Sequence, residues 1–191
     1  MNKKIVFFSI VLLFSILCLK AQTQVGSIIN GPNGRPAGVV FHYDAETGTG
    51  LMVSLVETQL PWGTMDVNIT HANDYINSAV ARLDFAGLVN TAAIVNQLGT
   101  RTEYAARWCF EHNAEGLTGW YLPSVGELNL LIAQRQVVNR ALQGINATPL
   151  ATQWHWSSSE GNENRAWNIS GVNIYPANKN EVRRVRAIRK F

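Results

Sequence analysis

Only one cysteine lies in the part of the chain that is expected to fold. Cys18 belongs to an apolar segment near the N-terminus, and Cys109 follows much later. A single thiol cannot form an intramolecular disulfide, so core packing alone must stabilise the fold. The remaining chain of about 170 residues is long enough, since a domain of that size buries roughly 70% of its unfolded surface. Because Cys109 lies between Trp108 and Phe110, we expect it to be a buried, unreactive thiol.

Residues 1–21 are typical of a secretory signal peptide. Lys3 and Lys4 precede an uncharged, mostly apolar run over residues 5–19, and Ala21 is a small residue suited to cleavage. The run is shorter than the ~20 residues of a membrane-spanning helix. We therefore expect an exported protein (secreted, periplasmic or at the cell surface) with no membrane span after cleavage.

The charge of the remaining chain argues against a nucleic-acid partner. The full sequence has 16 Lys and Arg against 13 Asp and Glu. Three of the basic residues lie within residues 1–21, which contain no acid, so the rest is formally neutral. A basic stripe remains over residues 179–190. We expect it to pair with the domain's own acids; the alternative is binding of sulfated glycans.

Local patterns predict strands at both ends of the chain and helices between them. Two strand-forming runs, 39–43 and 51–56, flank a turn-rich segment and predict a hairpin. Residues 64–86 have weak periodicity and are expected to form loop with a short helix. Four short strands are predicted over 154–158, 166–169, 172–175 and 182–189.

Helix signals occupy the middle of the chain. Asn90 is a candidate cap for a helix that ends at Gly99. Thr100 with Glu103, and Ser124 with Glu127, have the spacing of a capping box; the second pair precedes an apolar pattern that extends to residue 142. Strands, then two amphipathic helices, then strands predict an α+β fold with short antiparallel strands on both sides of the helices.

Ordered motifs add a family resemblance. They are the GWYLPS motif at 119–124, WSSSE at 156–160, AWN at 166–168 and VRAIR at 185–189. With these motifs, residues 38–191 resemble the bacterial Lcl C-terminal-like family, a domain of unknown function. The resemblance implies a C-type-lectin-like fold for a single domain over residues 38–191, preceded by an N-terminal lead-in over residues 22–37.

The sequence offers no catalytic residues, metal or cofactor that we would assign. The three serines of the WSSSE motif lack the glycine-flanked turn of a hydrolase nucleophile, and we expect them to form hydrogen bonds within or beside a sheet. Glu127 is expected to be a helix cap rather than a catalytic acid. Asn168 is followed by Ile169, where a calcium-dependent lectin requires Asp, so we expect no calcium site.

Polar and aromatic residues near the C-terminus form the candidate binding site. Asparagine amides donate and accept hydrogen bonds, and aromatic faces give apolar contact at low entropic cost. The candidate ligand-binding residues are Trp154, Asn162, Asn164, Trp167, Asn168, Asn173 and Tyr175. The alternative is that these asparagines serve the turns of short hairpins.

Together these features predict an exported, non-enzymatic recognition or surface-interaction domain. Its partner would be an extracellular glycan or protein, bound without calcium. Two alternatives remain open: a structural or accessory module of a surface assembly, and a hydrolase with an unfamiliar site. The sequence does not specify the oligomeric state or the identity of the ligand.

Overall fold

The computed structural model describes residues 23–70 and 74–191, and these residues form nine strands and five helices. The strands are β1 (Ile28–Asn30), β2 (Pro36–Asp44), β3 (Thr49–Ser54), β4 (Thr58–Pro61), β5 (His155–Asn162), β6 (Arg165–Ser170), β7 (Asn173–Asn178), β8 (Val182–Val185) and β9 (Ile188–Lys190). The helices are α1 (Ser78–Ala81), α2 (Gly87–Leu98), α3 (Ala105–Phe110), α4 (Val125–Ala133) and α5 (Arg135–Gly144). The predicted signal peptide lies outside the described residues.

The strands belong to two sheets. One sheet has four strands in the order β1-β2-β3-β9, and the other has five in the order β4-β8-β5-β6-β7. All pairs are antiparallel except the short contact between β5 and β8, where His155 lies opposite Arg184. Residues from both ends of the chain therefore meet in each sheet.

The predicted α+β, C-type-lectin-like arrangement is wrong. Among the described residues the structure is mainly β, with two sheets and five short helices instead of two helices between two sets of strands. The physical reason is that sheet membership depends on pairing between distant segments, which local patterns do not encode. Residues 182–189, predicted as one strand, divide into β8 and β9, which join different sheets.

The predicted hairpin of the N-terminal half is confirmed. β2 pairs with β3 in antiparallel register, with Val39 opposite Val53 and Asp44 opposite Thr49. The register shifts between Val40 and His42, where a bulge bends the pair. Residues 28–30 of the lead-in form β1, which pairs with the outer edge of β2.

Of the three helix starts predicted from capping residues, one is confirmed and two are wrong. The Ser124–Glu127 capping box is confirmed at the start of α4. The Asn90 cap is wrong, because α2 begins three residues earlier and Asn90 is buried within it. The Thr100–Glu103 box is also wrong, since α3 starts after Tyr104 without a side-chain cap.

Tryptophans anchor the interior. Trp62, Trp120 and Trp156 are fully buried in one apolar cluster with α2 and α3. A second cluster lies between the β2–β3 hairpin, α4 and α5, and it contains Trp167. Cys109 is buried and free, as expected, and burial raises the pKa of its thiol well above the ordinary value.

Candidate functional site

An apolar groove of about 760 Å³ lies on the surface of the described residues. It lies beside the β2–β3 hairpin, and Phe85 and Leu130 supply apolar walls together with Leu51 and Phe191. Titratable residues also line it: His42, Asp44, Glu127 and Lys190. A groove of this size with a few polar groups has the general form of a ligand or peptide site.

Glu127 lines the groove, but its carboxylate is fully engaged. Its Oε2 accepts the Ser124 backbone N–H at 2.9 Å, and its Oε1 accepts the Tyr121 hydroxyl at 3.0 Å. Burial raises the pKa of Glu127, against the opposing effect of these hydrogen bonds. The side chain is 2% exposed, so it acts as the helix cap that the sequence predicts.

A buried polar network lies next to Glu127. Asp84 Oδ1 accepts the Ala86 backbone N–H at 2.8 Å, and its Oδ2 accepts hydrogen bonds from Asn90 at 2.8 Å and Ser159 at 2.6 Å. The Asp84 carbonyl accepts the Ser124 hydroxyl at 2.7 Å. These bonds fix the start of α2 against α4 and β5.

The segment around this network exposes large apolar side chains. We call it the 76–89 apolar face, and it consists of Ile76, Val80, Leu83, Phe85, Leu88 and Val89, which are 43–86% exposed. Phe85 also lines the apolar groove, so the face reaches the groove at this residue. Several exposed apolar side chains on one short segment indicate an interaction site more strongly than one isolated exposed residue does.

Three asparagines of the predicted binding site form hydrogen bonds within the chain. Asn162 Oδ1 accepts the backbone N–H groups of residues 164 and 165, each at 2.9 Å. Asn164 Oδ1 accepts the Asp66 N–H at 2.9 Å, and the Asn168 amide donates to the Tyr175 carbonyl at 2.9 Å. Asn162 and Asn168 thus support the turn and the strand on which they lie, and Asn164 joins its turn to the segment at Asp66.

The other predicted site residues differ in exposure. Trp167 is 5% exposed, and its indole N–H donates to the Tyr75 carbonyl at 3.0 Å. Asn173 is exposed, Tyr175 is 60% exposed, and Trp154 is half-buried. The Trp154 and Tyr175 rings contact each other edge to face, with centroids 5.9 Å apart. Ligand binding at this site stays a prediction.

The WSSSE serines form hydrogen bonds as the sequence analysis expects. Ser157 donates to the Trp167 carbonyl at 2.7 Å, and Ser159 Oγ accepts the Val125 N–H at 3.0 Å. Both ring nitrogens of His155 are also hydrogen-bonded: Nδ1 lies 2.8 Å from the Gln153 carbonyl oxygen, and Nε2 lies 2.9 Å from Glu57 Oε2. The three serines and His155 all lie in the interior of the domain, with no exposed surface.

Three residues of the basic stripe pair with the domain's own acids, as expected, whereas Arg186 and Arg189 donate to backbone carbonyls. Lys179 forms a fully buried ion pair with Glu160, and Arg183 pairs with Glu181 at 2.5 Å. Arg184 lies 3.5 Å from Glu57. The buried Arg186 donates to the Thr148 carbonyl at 2.6 Å, and burial lowers its pKa to about 10.

Sequence reasoning missed one cluster of polar residues around Trp154. Gln59, Gln153, Arg183 and Arg184 surround this ring in a small pocket of about 220 Å³. Gln59 lies 95 positions before Trp154 in the chain, and only the pairing of β4 with β8 brings the two together. The only sequence signal was the basic stripe itself.

Across 23–70 and 74–191, no group of three or more His, Cys, Asp or Glu side chains could hold a metal ion. In these stretches, no helix combines the length and the apolar character needed to cross a membrane.

The fold is similar to that of a solved fimbrial protein. The crystal structure of a fimbrial protein from Bacteroides ovatus ATCC 8483 superposes with a TM-score of 0.62 at 18% sequence identity. The match covers 87% of this chain and 48% of that chain. The likeness shows a shared fold. This chain spans about half the length of the fimbrial protein. Its fold resembles the fold of that protein rather than that of a two-helix C-type lectin.

No family model matches the sequence, and no curated protein matches it.

Proposed function

We propose that the chain is an exported, non-enzymatic module of a cell-surface assembly that takes part in recognition or adhesion. The observation that carries this proposal is the fold that it shares with a fimbrial protein. The N-terminal sequence, which has the pattern of a secretory signal, agrees with export.

Two surface features support a role in an assembly. The 76–89 apolar face exposes Leu83 by 76% and Val89 by 61%, which is costly for a protein that never covers these side chains. The adjoining groove is also mainly apolar. Interfaces between subunits have apolar cores of this kind.

Internal hydrogen bonding supports a non-enzymatic role. The polar groups that most resemble catalytic residues, Ser159, His155 and Glu127, all bond to partners within the chain. All three side chains are also buried, whereas a catalytic nucleophile or base must come within hydrogen-bond reach of the substrate. The chain's ligand is then bound at the surface and released unchanged.

Surface display is tested on intact cells of the natural host. Externally added protease should degrade the protein on intact cells, while a cytoplasmic marker protein stays intact. Protection of the chain until the cells are lysed would contradict display at the cell surface.

Assembly is tested with Leu83→Asp, which places a charge on the 76–89 apolar face. This variant should lose cross-links to neighbouring subunits on the cell surface while it keeps its thermal stability, because Leu83 is 76% exposed. Phe110→Asp, at a 50% exposed position on α3, is the matched control and should retain the cross-links. Equal cross-linking of both variants would contradict a role for this face in assembly.

A further inference from the structure

The pocket around Trp154 is built from strands that are distant in sequence. We call it the Trp154 pocket, and its lining residues are Gln59, Gln153, Trp154, Val182, Arg183 and Arg184. Gln59 on β4 lies directly opposite Arg184 on β8. The Arg184 backbone N–H donates to the Trp154 carbonyl at 3.0 Å, which fixes the tryptophan beside β8. All six residues thus border one small cavity.

The two arginines of the pocket keep hydrogen-bond donors that the chain does not use. Arg184 approaches a carboxylate only at 3.5 Å, and its side chain is 31% exposed. Arg183 bonds to Glu181 through Nη2, but its Nε is buried without a partner among the described residues. A guanidinium group presents five N–H donors in a fixed fork, which suits the oxygens of a carboxylate or sulfate group.

The acid beside Arg184 also interacts with other arginines. Glu57 Oε1 lies 3.5 Å from the Arg184 guanidinium, and the charge of Glu57 also acts on Arg135 and Arg186. Glu57 therefore offsets the charge of Arg184 only in part, and the Arg184 guanidinium can attract a further anion.

The remaining wall suits a sugar ring. Trp154 is half-buried, and its contact with Tyr175 at 5.9 Å, with the two rings inclined by 64°, holds it in place. A fixed indole face packs against the apolar C–H groups of a ring at low entropic cost. The exposed amides of Gln59 and Gln153 both donate and accept, as hydroxyl groups require.

We propose that the Trp154 pocket binds an anionic sugar, with the ring packed on Trp154, the hydroxyls bonded to Gln59 and Gln153, and the carboxylate or sulfate group held by Arg183 and Arg184. This proposal rests on the proposed function, because it names the ligand class of a surface-displayed domain. A saccharide fits better than an acidic peptide because the flat indole and the two amides are combined beside the arginines in one cavity of about 220 Å³.

The test compares three sugar probes that differ only in their anion. Oligogalacturonates carry a carboxylate, sulfated galactose oligomers carry a sulfate, and unsubstituted galactose oligomers carry neither. The protein for calorimetric titration is the full chain, or the mature chain isolated from the host. It should bind at least one anionic probe. That affinity should fall as salt is added. The anionic probe that binds identifies carboxylate or sulfate as the recognised group.

Variants then assign the binding to this pocket. Arg184→Gln should weaken binding of the anionic probe by roughly tenfold or more, the effect of losing one charge-assisted hydrogen bond. Arg183→Gln is the second variant, and it should also weaken binding of the anionic probe. It replaces Arg184→Gln in the test if that variant folds poorly. Arg140→Gln removes the same charge from an exposed position on α5 and should bind like the wild type.

Several results would overturn the proposal. These are equal binding of anionic and neutral oligomers, binding of neither at millimolar concentration, and equal affinity in Arg184→Gln, Arg183→Gln and Arg140→Gln. Tighter binding of a polyglutamate peptide than of any sugar would replace the saccharide with an acidic protein segment. A chain that is displayed on the cell but binds no anionic sugar refutes only this pocket. A chain that is found inside the cell refutes the proposed function.

Discussion

The Ser159 hydroxyl donates a hydrogen bond to Asp84 Oδ2 at 2.6 Å across 75 positions of sequence. Both side chains are buried. The same serine oxygen accepts the Val125 backbone N–H at 3.0 Å, at the first residue of α4. One pair of residues thereby joins β5, α4 and the segment that leads into α2, and it gives the serine motif a structural role.

The Asp84 carboxylate should stabilise the protein mainly as an acceptor of buried hydrogen bonds. In Asp84→Asn, an NH₂ group can replace Oδ2, where it would face the donors of Asn90 and Ser159. We expect the free energy of unfolding to fall by about 1–3 kcal/mol, the cost of unsatisfied buried polar groups. Urea denaturation measures it. Glu103→Gln at an exposed position is the control, and equal stability of the two variants would contradict the network.

Gly87 should resist a substitution that usually stabilises helices. A Cβ at this position of α2 would lie 2.1 Å from Glu127 Oε2 and 2.7 Å from the Ser124 backbone nitrogen. We therefore expect Gly87→Ala to destabilise the protein by about 1–3 kcal/mol through overpacking. Gly144→Ala is the matched control, because a Cβ there meets nothing within 4 Å and alanine is the better helix former. The thermal midpoint should fall in the first variant and rise or stay constant in the second.

The buried ion pair between Lys179 and Glu160 should show strong coupling. Both side chains are fully buried, and Lys179 also donates to the Val67 carbonyl at 2.6 Å and lies 4.7 Å from the centre of the Trp62 ring. Lys179→Met leaves the Glu160 carboxylate without its cation, and we expect a loss of about 3–5 kcal/mol.

The control for this prediction is the double variant Lys179→Met with Glu160→Gln, which removes both charges. It should be less destabilised than the sum of the single variants, as measured by a double-mutant cycle in urea. Strict additivity would mean that the two charges do not interact.

Glu57 should make stability depend on pH. Burial acts to raise the pKa of this carboxyl, but the hydrogen bond and charge of His155, with the charge of Arg186, lower it overall from the ordinary value of 4.5. A folded-state pKa below the unfolded value stabilises the protein above the unfolded pKa, and this contribution is lost as pH falls through the folded pKa.

The measurement compares wild type with Glu57→Gln by urea denaturation. The stability difference should be largest at neutral pH and should shrink as the pH falls below 4.5. Glu103→Gln, at an exposed position, corrects for the general effect of removing one carboxylate. A difference that stays constant down to about pH 3 would contradict the lowered pKa.

The sequence predicts the local features of this protein well. The β2–β3 hairpin, the Ser124–Glu127 capping box and the burial of Cys109 each depend on residues close together in the chain. Helix starts without a side-chain cap were predicted wrongly, because α2 and α3 begin where tertiary contacts place them. The helical pattern from 124 to 142 gave no sign of the break at Gln134, whose backbone leaves the helical region between α4 and α5.

The sequence showed which types of residue could form a binding site, but it did not show which of them lie together in the fold. Asparagines and aromatic residues near the C-terminus suggested one binding surface. In the structure, Asn162, Asn164 and Asn168 form hydrogen bonds within the chain. Trp154 instead lies beside two arginines and two glutamines. A side chain's neighbours across a sheet depend on strand register, which brings Gln59 opposite Arg184.

The sequence alone determined the β2–β3 hairpin, the capping box at the start of α4 and the burial of Cys109, since short-range patterning is enough to specify a turn, a cap and a small apolar side chain. Only the tertiary structure decided that residues 182–190 divide between two sheets, that the 76–89 apolar face stays exposed, and that a pocket forms at Trp154. The physical reason is that backbone hydrogen bonds between strands are nearly the same for any sequence. Strand partners are therefore selected by the packing of the whole domain.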